Sequence, residues 1–190
     1  MKSIKILFLL FLFVSCSSKQ TTIEQYLANP VKFAKKEVKA PDGSYSILVP
    51  KNWETDFETS EYNDSEFLIF QAVSDIDEKG SFSGITVFET KSLAEVGSTN
   101  LETQYTFALE KYKHFDCQII SSGKTDIFGE QAYYIQTEVN NAELFDFFLK
   151  SKKEESLFYL INISTTKNEN LKLNMAIMLN SLKTFKITQN

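Results

Sequence analysis

The chain has 190 residues, of which 20 are basic and 25 acidic, so its formal net charge at pH 7 is -5. Every basic residue is a lysine, and hydrophobic residues make up 43% of the sequence. This apolar content excludes collagen-like, low-complexity and wholly disordered chains. An acidic chain without arginine is also a poor nucleic-acid binder, because phosphate contacts rely on clustered cations. We therefore expect no nucleic-acid partner.

The first fifteen residues have the layout of a secretory signal peptide. Lys2 and Lys5 precede an unbroken apolar run over residues 6–14, which is too short to span a bilayer. The run ends at Ser15 and Cys16, so that a small residue stands directly before a cysteine. This arrangement resembles the cleavage box of bacterial lipoproteins. The alternative is an ordinary secretory signal followed by an incidental cysteine.

The lipoprotein resemblance implies that Cys16 becomes the acylated amino terminus, carrying palmitate or related chains. Several acyl chains give stable anchoring to membrane lipid, whereas a single chain is marginal. Ser17 is not the Asp that typically retains such lipoproteins at an inner membrane, and no acidic residue follows Cys16 before Glu24. We therefore expect a lipid-anchored protein of the cell envelope, at the outer membrane of a Gram-negative bacterium and facing the periplasm.

The chain divides into three predicted segments. Residues 1–15 are the signal peptide, residues 16–39 are the lipidated cysteine with a polar tether, and residues 40–190 are a single domain. Within the tether, residues 23–27 have the character of a short helix that ends before Pro30.

The domain begins with strands and then switches to a helical period. Residues 45–49 alternate in polarity and stop at Pro50, and residues 66–73 and 82–89 are predicted as further strands. A helix is then predicted, because apolar side chains recur at helical spacing on one face. Ser98 or Asn100 is expected to cap its amino terminus. The residues of this face are Leu101, Tyr105, Ala108, Tyr112 and Phe115.

Four more strands and a closing helix complete the prediction. The strands are expected at residues 117–121, 132–139, 144–150 and 156–165. The closing helix repeats apolar residues at helical spacing and is capped by Asn168; these residues are Leu171, Met175, Met178, Leu182 and Phe185. Hairpin-like links between neighbouring strands favour an antiparallel sheet flanked by helices, and hence the α+β class.

A strand that runs into Pro50 and then Trp53, within residues 43–53, resembles the opening of the PsbP/Mog1-like fold. The middle helix, the glycine-containing hairpin of residues 123–132 and the closing helix resemble later parts of that fold. The resemblance covers roughly residues 40–187. It implies an α/β/α sandwich in which Trp53 covers one end of the sheet. It implies a binding role and no shared catalytic residue.

Few side chains are suited to chemistry, since the chain has one histidine and two cysteines. His114 fits the end of a helix, and Cys117 fits a small apolar position in a strand. Residues 75–80 resemble the start of a calcium loop, but Lys79 has the wrong charge at the fifth position and Thr86 cannot supply the bidentate carboxylate of the twelfth. We therefore predict a solvated turn there, and no metal, cofactor or catalytic residue.

The segment after Trp53 is the strongest sequence candidate for recognition. It is acidic and contains one tyrosine; its residues are Glu54, Asp56, Glu58, Glu61, Tyr62 and Asp64. Loops frequently carry binding residues, although an ordinary solvated loop has the same composition. The aromatic strands of residues 145–149 and 157–161 offer a second candidate. One face of this hairpin must meet the helices, while the other is covered by a second helix layer or left as an apolar groove.

These observations predict a non-enzymatic, membrane-anchored envelope lipoprotein. Its partners are membrane lipid, through acylated Cys16, and an unknown envelope protein or peptide. The alternatives are a hydrolase acting on envelope material, or an assembly or structural subunit of an envelope complex.

Overall fold

The structure is a computed structural model that describes residues 21–57, 60–63, 66–91, 99–115 and 117–188, with residues 61–63 described by their backbone alone. Within these ranges the chain forms three helices and eleven strands. None of the helices described is long and apolar enough to cross a membrane.

The helices are α1 (Ile23–Leu27), α2 (Leu101–Tyr112) and α3 (Leu171–Leu182). The strands are β1 (Lys35–Lys39), β2 (Tyr45–Pro50), β3 (Glu54–Asp56), β4 (Ser60–Asn63), β5 (Glu66–Val73), β6 (Ser83–Lys91), β7 (Gln118–Thr125), β8 (Ala132–Val139), β9 (Ala142–Lys150), β10 (Leu157–Thr166) and β11 (Lys186–Ile187).

Eight of these strands form one antiparallel sheet, which we call the large sheet. Its order is β3-β5-β6-β10-β9-β8-β7, and β4 pairs with the same edge strand, β5, as β3 does. The α+β prediction is therefore confirmed. Neighbouring strands are joined by short connections, such as the turn between β8 and β9 at Asn140, which has a positive φ of 51°.

The predicted first strand does not belong to the large sheet. β2 lies instead at the centre of a three-stranded antiparallel sheet with the order β1-β2-β11, which we call the small sheet. Val38 pairs with Ile47 on one side, and Lys186 pairs with Ser46 on the other. The small sheet thus joins the beginning and the end of the folded chain.

The fold begins before residue 40, where the sequence places the end of a tether. Thr22 caps α1 by accepting from Gln25, whose side chain accepts in turn from the Thr22 backbone. Ile23 and Tyr26 are buried against the core, and β1 pairs along its whole length with β2. The predicted tether of residues 16–39 is therefore too long, and this prediction is corrected. Residues 22–39 include α1 and β1, which belong to the folded domain.

Helices cover both faces of the large sheet. α3, the small sheet and α1 lie on one face, where the main core packs, while α2 packs on β8 and β9 from the other face. In β9, Phe145, Phe147 and Leu149 point into the main core, so Asp146 and Phe148 face the α2 side. Burying each apolar side chain of β9 contributes roughly 1.5–3 kcal/mol to the free energy of unfolding.

The closing helix α3 is buried along Met175, Met178 and Leu182, as its spacing predicts. Its cap residue is Asn170 rather than Asn168. The side chain of Asn168 accepts instead from the Asn170 backbone N–H at 2.8 Å, which stabilises the turn before the helix.

Trp53 follows β2, which ends at Pro50, and the next N–H, that of Lys51, still donates to the Ala34 carbonyl oxygen at 2.8 Å. The Trp53 N–H donates to the Pro50 carbonyl oxygen at 3.1 Å, closing a tight turn. This turn brings the indole into the main core, where Trp53 is only 7% exposed.

Candidate functional site

The α2 side of the large sheet holds the candidate site. Asn100 begins α2, and its Oδ1 accepts from the backbone N–H groups of Glu102 at 2.8 Å and Thr103 at 3.3 Å. The apolar face of the helix then packs on the sheet. Tyr105 stacks on Tyr133 with 4.7 Å between ring centroids. This packing holds α2 over β8 and β9.

A groove of about 400 Å³ lies beside α2, between the helix and the sheet. Its walls are mainly aromatic and aliphatic: Phe107, Tyr112, Phe115, Phe148, Phe158 and Leu160. Polar side chains complete its lining: Glu66, Thr90, Gln104 and Lys111. An apolar floor with a few polar groups at its margin is typical of a binding site.

Phe115 forms an exposed apolar part of this groove. The helical spacing predicts that it belongs to the buried face of α2, but the helix ends at Tyr112 and Phe115 lies beyond it. Its side chain is therefore 65% exposed, and its ring centroid is 6.4 Å from that of Tyr112. The prediction that Phe115 shares a helix face with Leu101, Tyr105, Ala108 and Tyr112 is therefore corrected, because the helix ends before it.

Lysines lie over two aromatic rings of the groove. Lys111 Nζ is 4.6 Å from the ring centroid of Phe107, and Lys150 Nζ is 4.4 Å from that of Phe158. Lys150 also donates to the backbone carbonyl oxygens of Thr99 and Glu155. Lys111 has no ion pair within the described ranges, so its charge is available to an acidic group.

A buried carboxyl group lies next to the groove. Asp146 is 4% exposed and projects from β9 on the α2 side. The Tyr112 hydroxyl donates to Asp146 Oδ2, and Asn162 Nδ2 donates to Asp146 Oδ1 at 2.8 Å. Both carboxyl oxygens are thus engaged, so this cluster links α2 to β9 and β10.

The environment raises the pKa of the Asp146 carboxyl above its usual value of 3.8. Burial is the main cause, and the hydrogen bonds from Tyr112 and Asn162 oppose it. Burial also raises the pKa of the Tyr112 hydroxyl, and the neighbouring Asp146 adds to that shift. Burial thus shifts each equilibrium toward the neutral form relative to the same group in water.

A second polar cluster lies on the other face of the large sheet. Lys153 Nζ is 2.7 Å from Asp42 Oδ2 and 3.1 Å from Glu89 Oε2. Burial acts to raise the pKa of Asp42, but hydrogen bonds from Lys153 and Ser44 outweigh it and lower the pKa to about 2. This cluster joins the turn before β2 to β6 and the β9–β10 connection.

The acidic segment that the sequence favours is partly extended structure. Glu54 and Asp56 are exposed on β3, and Glu61 and Tyr62 lie on β4. Both strands pair with the same edge of β5. The side chains of Glu61 and Tyr62 are not described, and Glu58 and Asp64 lie outside the described residues. The groove beside α2 does not include any of these residues.

The other sequence candidates are placed apart from the groove or outside the described residues. His114 is exposed after α2, and Cys117 is a partly buried free thiol whose Sγ lies 3.5 Å from the Tyr112 carbonyl oxygen. Asp77 closes the turn between β5 and β6 by accepting from the backbone of Lys79 and Ser81. In the part of the chain that the structure describes, no three His, Cys, Asp or Glu side chains are grouped to hold a metal ion. Cys16 lies outside that part.

Sequence reasoning missed the Asp146 cluster. The available signal was one carboxylate inside an otherwise apolar strand, since Phe145, Phe147, Phe148 and Leu149 surround it in sequence. A buried carboxyl needs hydrogen-bond donors, but the sequence does not identify them.

Comparison with known proteins shows a likeness of fold. No family model matches the chain, and no curated protein matches its sequence significantly. The crystal structure of the Ran-binding protein Mog1p from Saccharomyces cerevisiae has a TM-score of 0.51 and 11% identity, and the match covers 82% of this chain and 96% of Mog1p. The solution structure of the cyanobacterial PsbP (CyanoP) from Synechocystis has a TM-score of 0.49 and 14% identity, covering 84% of this chain and 96% of that one. The Mog1p match confirms the PsbP/Mog1-like domain at the level of the fold.

Proposed function

We propose that this protein is a lipid-anchored binding module of the cell envelope, which holds a protein or peptide segment and catalyses no reaction. The layout of residues 1–16 supports the anchor, with acylation at Cys16. On this proposal the domain belongs to the outer membrane of a Gram-negative bacterium and faces the periplasm.

The groove beside α2 carries the proposal of binding. Phe115 keeps most of its surface exposed, next to Phe158 and Phe148, whose buried rings form the floor. Exposed aromatic side chains that border an apolar depression are typical of interaction sites. A protein segment that inserts one large apolar side chain would bury this surface.

Charged side chains of the lining can discriminate among such segments: Glu66 contributes a negative charge and Lys111 a positive one. Lys111 lies over Phe107 without an ion pair in the described ranges. A carboxylate next to the inserted apolar side chain would pair with Lys111, whereas a lysine there would be repelled. We therefore propose an acidic segment with an aromatic or large aliphatic residue as the occupant.

The fold is compatible with this role. Mog1p, which shares the fold, is described as a Ran-binding protein, so at least one domain of this shape binds a protein. Fold likeness alone does not identify the partner of this chain or the surface that it uses.

Two labelled peptides test the occupant. Both carry one phenylalanine, which is flanked by aspartates in one peptide and by lysines in the other. We expect fluorescence anisotropy to show preferential binding of the acidic peptide. Lys111→Glu should reverse the preference, and Lys111→Met should weaken it without reversing it. Equal binding of both peptides to all three proteins would reject this site.

Metabolic labelling with a palmitate analogue tests the anchor. The native chain should incorporate the label in its bacterial host, and Cys16→Ser should abolish incorporation. Cys117→Ser is the matched control, because Cys117 is a free thiol inside the folded domain. Labelling that survives in the Cys16→Ser variant would contradict the proposed anchor.

A further inference from the structure

The distance between the proposed anchor and the folded domain is short. Gln136 Nε2 donates to the Thr21 carbonyl oxygen at 3.1 Å, so the chain is attached to β8 at Thr21. Only residues 17–20 separate Cys16 from Thr21. These five steps span at most about 18 Å, because an extended chain advances about 3.3–3.6 Å per residue.

The domain is wider than this tether is long. A compact domain of about 170 residues has a radius of gyration of about 15 Å and is therefore roughly 40 Å across. A tether shorter than half that diameter keeps the part of the surface near Thr21 close to the membrane. The opposite side of the domain cannot turn to the lipid.

Thr21 lies toward one end of the large sheet, where β10 finishes and β6 and β9 begin; we call this the Thr166 end. Tyr26, five residues after Thr21, donates to Glu143 at 2.7 Å, and Glu143 pairs with Thr165. Thr21 also shares a surface depression with Lys172, in the first turn of α3. The tether therefore reaches the domain near this end.

Exposed large apolar side chains are concentrated at the Thr166 end. Of the four exposed large apolar side chains in the described part of the chain, three lie here: Ile76 is 73% exposed, Leu173 49% and Phe82 41%. Phe82 exchanges hydrogen bonds with Thr166, and Ile76 lies in the turn between β5 and β6. Leu173 follows Lys172, beside the attachment of the tether.

The charges near Ile76 indicate which lipids suit this end. The turn that carries Ile76 has a net negative charge, because its acidic residues Asp75, Asp77 and Glu78 outnumber its one basic residue, Lys79. A net negative turn is repelled by anionic headgroups. Ile76 must therefore contact the membrane through its apolar side chain, and neutral lipids favour that contact, whereas Leu173 has Lys172 beside it.

We propose that the Thr166 end of the domain rests on the membrane surface through Ile76, Phe82 and Leu173. This inference rests on the proposed acylation of Cys16. It deepens that proposal by fixing which side of the domain faces lipid. The groove beside α2 opens on the other face of the large sheet from Thr21, so it remains open to a partner while the domain lies on the membrane.

Depth-dependent quenching tests the orientation. The acylated full-length chain, in a Cys117→Ser background, is reconstituted into phosphatidylcholine vesicles that contain a spin-labelled lipid. A nitrobenzoxadiazole label is attached at Ile76→Cys, at Leu173→Cys or at Glu154→Cys. Glu154 is the control, because it is exposed in the β9–β10 connection at the opposite end of the sheet.

We expect lipid quenching to be severalfold stronger at positions 76 and 173 than at position 154. At position 76 we also expect the quenching to weaken when phosphatidylglycerol replaces part of the phosphatidylcholine. Equal quenching at all three positions, in protein that carries acyl chains and sediments with the vesicles, would overturn the orientation alone. A chain that carries no acyl group would overturn the anchor, and the orientation with it.

Discussion

The Tyr26 hydroxyl donates a hydrogen bond to Glu143 Oε1 at 2.7 Å, which joins the first helix of the folded chain to strand β9. Gln136 Nε2 donates to the same oxygen at 2.7 Å and to the Thr21 carbonyl oxygen at 3.1 Å. Burial raises the pKa of Tyr26, and its bond to Glu143 reinforces the shift. The amino-terminal segment is therefore held by a buried polar network rather than by apolar contact alone.

Replacing Tyr26 by phenylalanine tests this network. The change removes one donor to a buried carboxyl group, so we expect it to lower the free energy of unfolding by about 1–3 kcal/mol. Tyr159→Phe is the matched control, because no hydrogen bond of normal geometry from the described residues reaches the buried Tyr159 hydroxyl, although Ser44 and Ser151 lie near it. Urea unfolding should show a clearly larger loss for the first variant than for the second. Equal losses would indicate that the Tyr26 bond is not specifically stabilising.

The raised pKa of Asp146 predicts a dependence of stability on pH. A carboxyl group whose pKa is higher in the folded state stabilises the fold below its ordinary value of 3.8, and this contribution is lost as the pH rises through the folded-state value. Asp146→Asn removes the titration, so the wild type should lose stability relative to the variant as the pH rises. Urea unfolding over a pH series measures this difference.

Asp77 supplies a control of opposite sign. Backbone hydrogen bonds from Ser81 and Lys79 lower its pKa, so its contribution is present above 3.8 and is lost as the pH falls. Asp77→Asn should therefore lose stability relative to the wild type as the pH rises. If the free energies of unfolding of Asp146→Asn and Asp77→Asn changed with pH in the same direction relative to the wild type, the opposite pKa shifts of the two residues would be contradicted.

Lys153 should stabilise the fold through Asp42 and Glu89. Because the Asp42 carboxylate is partly exposed, solvent screening limits the expected loss in Lys153→Met to about 1 kcal/mol. The lowered pKa of Asp42 implies that this loss shrinks as the pH falls from 3.8 toward 2. Lys152→Met is the control, since its ion pair with Glu130 is 3.6 Å long and should contribute little. Thermal unfolding that ranks the two variants in reverse would refute the role of Lys153.

Trp53 should be among the most sensitive positions of the core. Its indole is almost fully buried, so Trp53→Ala should lower the free energy of unfolding by about 3–5 kcal/mol. Lys51→Ala, two residues earlier and exposed, should change it by less than about 0.5 kcal/mol. Urea unfolding at neutral pH compares them, and a small effect at Trp53 would show that the Pro-Trp turn does not support the fold.

Elements with a clear local pattern could be predicted from the sequence. The predicted bounds of β5 and β8 agree with the structure, because each is an apolar run ended by turn residues. The start of α2 also agrees, and the structure selects Asn100 as its cap from the two predicted candidates, Ser98 and Asn100.

Features that depend on distant pairing could not be predicted. β1 is a lysine-rich segment without a clear alternation, and it becomes a strand because β2 pairs with it. Asp146 finds its donors at Tyr112 and Asn162, which come from other elements. The helical spacing of apolar residues places Phe115 on the helix face but does not show where the helix ends. The exposure of Phe115 in the groove could therefore be seen only in the structure.

Photocrosslinking in the native host tests whether the groove beside α2 holds a partner protein. A benzoylphenylalanine is introduced in place of Phe115, in the groove, or in place of exposed Lys186, on the small sheet, and the captured proteins are identified. We expect a discrete protein to be captured from position 115 but not from position 186, and we expect Lys111→Glu to reduce this capture greatly. Identical capture from both positions, or capture from position 115 that is unaffected by Lys111→Glu, would contradict this expectation.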